Sequence, residues 1–228
     1  MTDSFLLFGA SQRTGLEVAK LLAARGEQIT AFVRPTSDRT ELEKLGVDFV
    51  TGDVLDADAV EAAFGNGDYR AVVCTVGGSR KEPQRPDVIG TQNLVDAAKR
   101  HGVNRLILVT AIGSGDSRDV LSENAWKFLG PVMELKTQAE EILMESGLDA
   151  TILRPGGMGS DPATGTAVKT EDHAVMGIIQ RADLAALLVD CLDDDATIGK
   201  IFHTIDPEIE EQPPLQRGEA PRPGEEKP

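Results

Sequence analysis

The chain has 228 residues, of which 40% are hydrophobic, which is enough to bury one substantial core. It carries 23 Lys and Arg against 38 Asp and Glu, a formal net charge of −15. This balance argues against a nucleic-acid surface, because phosphate binding requires clustered basic side chains. The N-terminus has no basic segment and only a short apolar run, so we expect neither a signal peptide nor a membrane span.

The two cysteines, Cys74 and Cys191, lie far apart within apolar runs, which argues against a disulfide framework or a cysteine metal site. The consecutive carboxylates at 193–195 follow a predicted helix and do not converge on one ion, so we predict no metal site. These features favour a reduced, cytoplasmic setting. We expect a monomer with neither a membrane nor a nucleic acid as partner.

Short apolar runs alternate with stretches of helical periodicity, which is the pattern of βαβ units and a parallel sheet. The strands are predicted at residues 5–8, 29–33, 47–50, 71–76, 105–110, 150–153 and 201–205. The helices are predicted at residues 14–25, 40–45, 57–64, 88–101, 135–146 and 184–192, with an extended connection over 113–132. The fold class that follows is α/β, a doubly wound and mostly parallel sheet with helices on both faces.

The C-terminal segment differs in composition from the rest of the chain. Residues 1–206 are predicted to form one domain with small insertions around a substrate pocket. Residues 207–228 are rich in proline and glutamate and contain little that could be buried, so we predict a disordered acidic tail.

The first strand leads directly into a glycine-bounded loop and a helix. Gly9 permits a tight turn, and Gly15 permits close packing of the helix on the strand. Such a turn directs backbone amides and the positive helix end at an anion, which suits a pyrophosphate. The middle glycine of the usual G-x-G-x-x-G pattern is absent, and Gln12 stands in its place; a purely structural turn is the alternative. The remaining candidate contacts of the loop are Ser11, Arg13 and Thr14.

Two arginines follow the second predicted strand. A site that prefers NAD places Asp or Glu there, against the ribose 2′-hydroxyl, whereas this chain has Arg34, with Arg39 nearby. A guanidinium pairs with a 2′-phosphate, so NADPH is predicted as the cofactor, NADP being its oxidised form. The alternative is that both arginines are solvated surface charges.

Several motifs, in this order and spacing, resemble those of the atypical short-chain dehydrogenase/reductases of Rossmann type, and within them the biliverdin-IXβ reductase/flavin reductase group. The motifs lie at residues 8–15, 32–34, 52–54, 78–80, 109–110, 145–148 and 154–156, and the resemblance covers about residues 4–205.

The resemblance implies further contacts with the cofactor. Asp53 and Val54 would flank the adenine, and Arg80 would fold over the cofactor. The segment that lines its path would comprise Val76, Gly77 and Gly78. The residues near the nicotinamide would be Thr110, Ala111, Pro155, Gly156 and Met158.

The chain departs from the family in its catalytic motif. Related reductases use a Tyr-x-x-x-Lys pair, in which the lysine lowers the pKa of the tyrosine. Here the lysine is kept as Lys136 at the end of Met133-Glu134-Leu135-Lys136, and no tyrosine precedes it in this part of the chain. We therefore expect Lys136, Thr110 and Ser114 to position cofactor and substrate without an essential protein acid.

An acceptor that needs mainly a hydride remains possible at such a site, since the cofactor carries the difficult step. Flavins and linear tetrapyrroles such as biliverdin are planar acceptors of this kind. Trp126 and Phe128 are predicted to wall the substrate pocket, the alternative being that they anchor a short helix. His173 is interpreted as a surface loop residue. The rival function is an NADP-binding redox sensor or assembly factor without turnover, and an epimerase is disfavoured by the missing tyrosine.

Overall fold

Eight strands of the described residues assemble into one sheet at the centre of the fold, and two short strands form a separate parallel pair. The computed structural model describes residues 4–78 and 84–209. The strands are β1 Ser4–Phe8, β2 Gln28–Val33, β3 Asp48–Thr51, β4 Ala71–Cys74, β5 Arg105–Val109, β6 Asp149–Pro155, β7 Gly157–Gly159, β8 Val168–Thr170, β9 Ile178–Gln180 and β10 Lys200–Ile205. The α-helices are α1 Arg13–Ala24, α2 Thr40–Lys44, α3 Ala57–Phe64, α4 Asp87–His101, α5 Glu123–Met144 and α6 Arg181–Asp193.

The strand order of the main sheet is β3-β2-β1-β4-β5-β6-β10-β8, and every pairing is parallel except that of β8 with β10. Because strand side chains alternate, Phe5 and Leu7 of β1 pack with α1 and α6, whereas Leu6 and Phe8 pack with α3, α4 and α5. Both faces of the sheet are thus covered by helices. The predicted doubly wound α/β fold is confirmed.

The sheet places a crevice beside the end of β1. β1 pairs with β2 on one side and with β4 on the other. From β1 the strand order runs through β2 to β3 on one side, and through β4 to β5 and β6 on the other. In open α/β sheets, ligands bind at such a switch point, outside the carboxyl ends of the strands. The glycine loop lies at this point.

The largest difference from the sequence prediction is in α5. The extended connection predicted over residues 113–132 is wrong, because a 3-10 helix occupies Gly115–Val120 and α5 already begins at Glu123. Pro131 lies inside this helix and Gly130 is buried against Trp126, where a Cβ would come within 2.9 Å of the indole. The short strands β7, β8 and β9 were also not predicted.

No helix among the described residues is both long and apolar enough to cross a membrane. Of the predicted C-terminal tail, residues 210–228 lie outside the described residues, so the prediction of disorder stays a prediction.

Candidate functional site

The loop after β1 requires glycine at two positions. Gly9 has φ +88°, in the left-handed region, and a Cβ there would lie 2.7 Å from Thr75 Oγ1. At Gly15 a Cβ would lie 2.2 Å from the carbonyl oxygen of Gly9, so α1 approaches β1 closely only because no side chain intervenes. Both glycines have the backbone roles expected from the sequence, and their contact with a cofactor stays a prediction.

The first turn of α1 has no side-chain cap. Gln12, at the N-cap, is extended and exposed, and its side chain makes no capping hydrogen bond. Arg13 is exposed and has φ +53°, which costs a non-glycine residue on the order of 1 kcal/mol. Ser11 is half-buried and Thr14 is buried. Uncapped amides beside a glycine turn that a Cβ would fill fit the pyrophosphate of a dinucleotide.

The two arginines after β2 lie at different places in the fold. Arg34 directly follows β2 and is exposed. Arg39 donates a 2.8 Å hydrogen bond from Nη2 to Thr51 Oγ1, and its guanidinium carbon lies 5.4 Å from the centre of the Phe49 ring. Arg39 is therefore held against β3, while Arg34 stands at the end of its strand. The assignment of both to a 2′-phosphate stays a prediction.

The turn after β3 combines an exposed carboxylate with a buried apolar side chain. Asp53 accepts a 3.0 Å hydrogen bond from the amide of Leu55. Val54 packs on α4 at Gly90, and its carbonyl accepts a 2.9 Å hydrogen bond from Asn93 Nδ2. This arrangement is compatible with the adenine end of a dinucleotide, which the resemblance assigns to Asp53 and Val54.

The segment after β4 is open on one side. Val76 is half-buried, whereas Gly77 is exposed with no atom within 4 Å of its potential Cβ. Gly78 is close to Pro86, and its carbonyl accepts a 2.5 Å hydrogen bond from Arg85 Nη1. The predicted contact of Arg80 falls on a residue outside the described part of the chain.

Lys136 of α5 forms an ion pair with Asp87, the first residue of α4. Lys136 Nζ lies 3.1 Å from Asp87 Oδ1, and the two side chains are 12% and 3% exposed. Both line a narrow slot together with Cys74 and Thr110. Burial raises the pKa of the Cys74 thiol to about 11, so this thiol stays protonated near neutral pH.

The hydroxyl groups of Thr110 and Ser114 both meet one buried carboxylate. Thr110 Oγ1 lies 2.5 Å and Ser114 Oγ 2.7 Å from Glu140 Oε1, and Ser114 Oγ also lies 2.7 Å from the carbonyl of Ala111. Arg154 binds both oxygens of Glu140, with Nε at 3.0 Å and Nη2 at 2.8 Å. All of these side chains except Ala111 are buried. The two hydroxyl groups are thus hydrogen-bonded to buried groups of the protein itself.

A second carboxylate joins this network to a distant loop. Asp116 accepts a 2.6 Å hydrogen bond from Arg154 Nη1 and lies 2.8 Å from His173 Nδ1. Burial opposes ionisation of Asp116, but the hydrogen bonds from Arg154 and His173 outweigh it and lower its pKa to about 2. His173 is half-buried, bonds the carbonyl of Ile201 through Nε2 and stacks on His203 at 4.9 Å. His173 thus lies in a turn, as expected for a loop residue, but its side chain is only 22% exposed and joins this network.

The segment after β6 continues along the same edge of the sheet. Pro155 is buried, and at Gly156 a Cβ would lie 2.0 Å from the carbonyl oxygen of Gly177. Met158 is 41% exposed, and Arg181 Nη1 donates to its carbonyl at 3.0 Å. Gly156 is thus required because the backbone of Gly177, just before β9, approaches it closely. Met158 presents an apolar side chain to the surface.

Trp126 and Phe128 both lie on the first turns of α5. Trp126 is half-buried, with the Arg118 guanidinium carbon 4.7 Å from its ring centre. Phe128 is 70% exposed, more than any other large apolar side chain of the described residues. The structure thus places the two aromatic residues on a helix instead of an extended loop, and their role as a substrate wall stays a prediction.

Sequence reasoning missed the charged partners of the site, which are Asp87, Asp116, Glu140 and Arg154. A weak signal exists for two of them. Glu140 falls on the face of α5 that otherwise buries Ala139 and Leu143, and Arg154 ends an apolar strand. A charged side chain that is buried at either position requires a partner of opposite charge. Nothing in the sequence identifies that partner.

Three comparisons bear on this site. Residues 9–195 match a family model described as NAD(P)H-binding. The fold is similar to that of ChuY, described as an anaerobillin reductase from Escherichia coli O157:H7, with 34% identity and a TM-score of 0.82 over 92% of this chain and 100% of that one. An uncharacterized chloroplastic protein of Arabidopsis thaliana is 31% identical over 221 residues, 90% of this chain and 77% of that protein. Sanguinarine reductase of Eschscholzia californica is 26% identical, over 86% of each chain.

The glycine turn, the uncapped helix end and the strand order agree with these similarities. The chain belongs to the NAD(P)H-binding family and, within the Rossmann-fold oxidoreductases, to the atypical short-chain dehydrogenase/reductases.

Proposed function

We propose that this chain is an NADPH-dependent reductase that delivers a hydride to a flavin or to a linear tetrapyrrole such as biliverdin, without a tyrosine as general acid. One observation carries the proposal. Val132, which stands in the tyrosine position four residues before Lys136, is half-buried and has no proton to donate, while Lys136 reaches the slot. The single tyrosine, Tyr69, precedes β4 and so lies at the amino ends of the parallel strands, opposite the carboxyl ends where the slot lies.

The residues present would divide the work of holding the cofactor. The amides after Gly9 receive the pyrophosphate, Arg34 and Arg39 receive the 2′-phosphate, and Lys136 donates to hydroxyls of the nicotinamide ribose. NADPH, when bound, supplies the hydride. The protein supplies position and a dry surface.

The described side chains nearest the carboxyl ends of β5 and β6 favour an acceptor that needs no strong protein acid. The hydroxyl protons of Thr110 and Ser114 are directed at Glu140 or Ala111, and Lys136 is paired with Asp87. A flavin or a tetrapyrrole can obtain its proton from water. The description of ChuY as an anaerobillin reductase supports the tetrapyrrole. The exposed Phe128 offers an apolar contact for a flat acceptor. We further propose that the protein acts as a cytoplasmic monomer.

An NADP-binding sensor or assembly factor without turnover is the second candidate. The same engagement of Thr110 and Ser114 by Glu140 favours it, because a binding protein needs no free hydroxyl at the nicotinamide end.

The two candidates are separated by measuring NADPH consumption at 340 nm with FMN, FAD or biliverdin. A reductase consumes NADPH in proportion to protein and acceptor, and does not reduce simple aldehydes or ketones. NADPH binding by calorimetry, with consumption no faster than in a protein-free control, would establish the sensor instead.

A further inference from the structure

The carboxylate of Asp87 lies between two cations at the start of α4. Its Oδ1 is 3.1 Å from Lys136 Nζ and its Oδ2 is 3.0 Å from Arg85 Nε. The side chain is 3% exposed, so neither contact is the loose pairing of a surface ion pair. No function assigned above uses this carboxylate.

The position of Asp87 is fixed by the fold. As the first residue of α4 it lies at the positive end of a 15-residue helix, which favours a carboxylate. Thr91 Oγ1 donates a 2.7 Å hydrogen bond to its backbone carbonyl, one turn further along. A carboxylate held in this way offers Lys136 a stationary acceptor.

The helix that carries Lys136, α5, is itself fixed to the sheet. Lys136 lies one turn before Glu140, whose carboxylate is bound by Arg154 of β6. The helix backbone is therefore fixed against the sheet, and the direction of the lysine side chain is set by its ion pair with Asp87. An ammonium group has three N–H donors. Asp87 accepts one of them and leaves two, which matches the two hydroxyl groups of a ribose.

We propose that Asp87 is a positioning residue that aims Lys136 at the ribose of the nicotinamide cofactor. This inference rests on the proposed cofactor site but not on the identity of the acceptor. Asp87 acts through Lys136 and does not itself touch the cofactor. Its effect is consequently shared by NADPH and NADH, unlike that of the arginines after β2.

The test is a double-mutant cycle on cofactor binding, measured by calorimetry in the absence of any acceptor. Asp87→Asn should raise the Kd of NADPH and of NADH by the same factor of about ten, the effect of one charge-assisted hydrogen bond. In a Lys136→Met background, the same substitution should change either Kd less than about twofold. Asp87→Glu, which keeps the charge, should restore most of the affinity.

The matched control is Asp96→Asn, which removes a carboxylate from the same helix at a position bonded only to Gln92 in the described residues. It should leave both Kd values unchanged. If the chain with Asp87→Asn does not fold by circular dichroism, the cycle is run with Asp87→Glu, whose displaced carboxylate should change the Kd of NADPH and NADH by the same small factor with Lys136 present and should change neither Kd in the Lys136→Met background.

Equal losses from Asp87→Asn with and without Lys136 would overturn the positioning role and leave the proposed reductase intact. If the Kd values change as the double-mutant cycle predicts but no acceptor is reduced, the proposed reductase is overturned and the positioning role stands. A wild-type chain that binds neither nucleotide would overturn both.

Discussion

Thr110 Oγ1 lies 2.5 Å from Glu140 Oε1, so the hydroxyl at the carboxyl end of β5 directs its proton into the protein. Ser114 Oγ reaches the same oxygen at 2.7 Å. In this arrangement the hydroxyl groups support the loop, and under the proposed function the hydride acceptor would receive its proton from elsewhere.

Removing either hydroxyl should therefore leave flavin reduction largely intact. Thr110→Val and Ser114→Ala are expected to lower kcat less than about tenfold, whereas loss of a general acid costs about 10²–10⁴. Steady-state kinetics with FMN at saturating NADPH provides the measurement. A fall above a hundredfold with cofactor binding intact would reveal a proton donor at this position.

Glu140 is expected to matter for stability more than for chemistry. Glu140→Gln removes the charge that pairs with buried Arg154, and breaking such a pair costs about 3–5 kcal/mol of the free energy of unfolding. Glu141→Gln is the matched control, because Glu141 is the next residue along the helix and its side chain is exposed. This substitution should change the free energy of unfolding by less than about 0.5 kcal/mol. Urea unfolding measures both. Equal effects of the two substitutions would show that the buried network contributes little.

The choice of cofactor should depend on Arg34. Arg34→Ala is expected to weaken NADPH by about 1.5–3 kcal/mol, the strength of a hydrogen bond to a charged group, and to spare NADH. Arg39→Ala, at the second arginine assigned to the 2′-phosphate, should likewise weaken NADPH and spare NADH. Calorimetric Kd values for the two nucleotides decide the point. Equal losses for NADPH and NADH would remove the argument for a 2′-phosphate contact.

Asp116 should contribute to the loss of stability in acid. Its pKa in the folded protein is about 2, below the ordinary value of 3.8, because partial desolvation is outweighed by the hydrogen bonds and charges of Arg154 and His173. A lowered folded-state pKa means that the stabilisation is present above about pH 4 and is lost as the pH falls toward 2. The side chain is 66% exposed, so the effect should shrink in high salt.

The measurement compares urea unfolding of the wild type and Asp116→Asn at pH 6, 4 and 3. The difference between them should narrow as the pH falls. Asp119→Asn, at a 97% exposed position, should show no comparable trend. A difference for Asp116→Asn that does not change with pH would contradict the assignment.

The sequence could predict the sheet because its strands are apolar on both faces. Phe5 and Leu7 face one helix layer and Leu6 and Phe8 the other, so β1 appears as a continuous apolar run. Gly9 and Gly15 could be predicted because a turn with positive φ and a close helix approach both require glycine.

The first half of α5 could not be predicted, since Gly130 and Pro131 normally end a helix. Here Trp126 packs over Gly130 and compensates for the weak helix signal. The pairing of Asp87 with Lys136 depends on how α4 and α5 pack, which the local pattern does not encode.

The central claim is hydride transfer from NADPH to a planar acceptor, and a single-turnover reaction with stereospecifically 4-deuterated NADPH and biliverdin tests it most directly. A tetrapyrrole suits this experiment because the new C–H bond does not exchange with water, unlike the N–H of a reduced flavin. We expect deuterium in the product from one of the two labelled stereoisomers only, formed at a rate that depends on the protein. NADPH that binds tightly yet transfers no deuterium to biliverdin, with no acceptor-dependent consumption of NADPH with FMN or FAD either, would contradict the account.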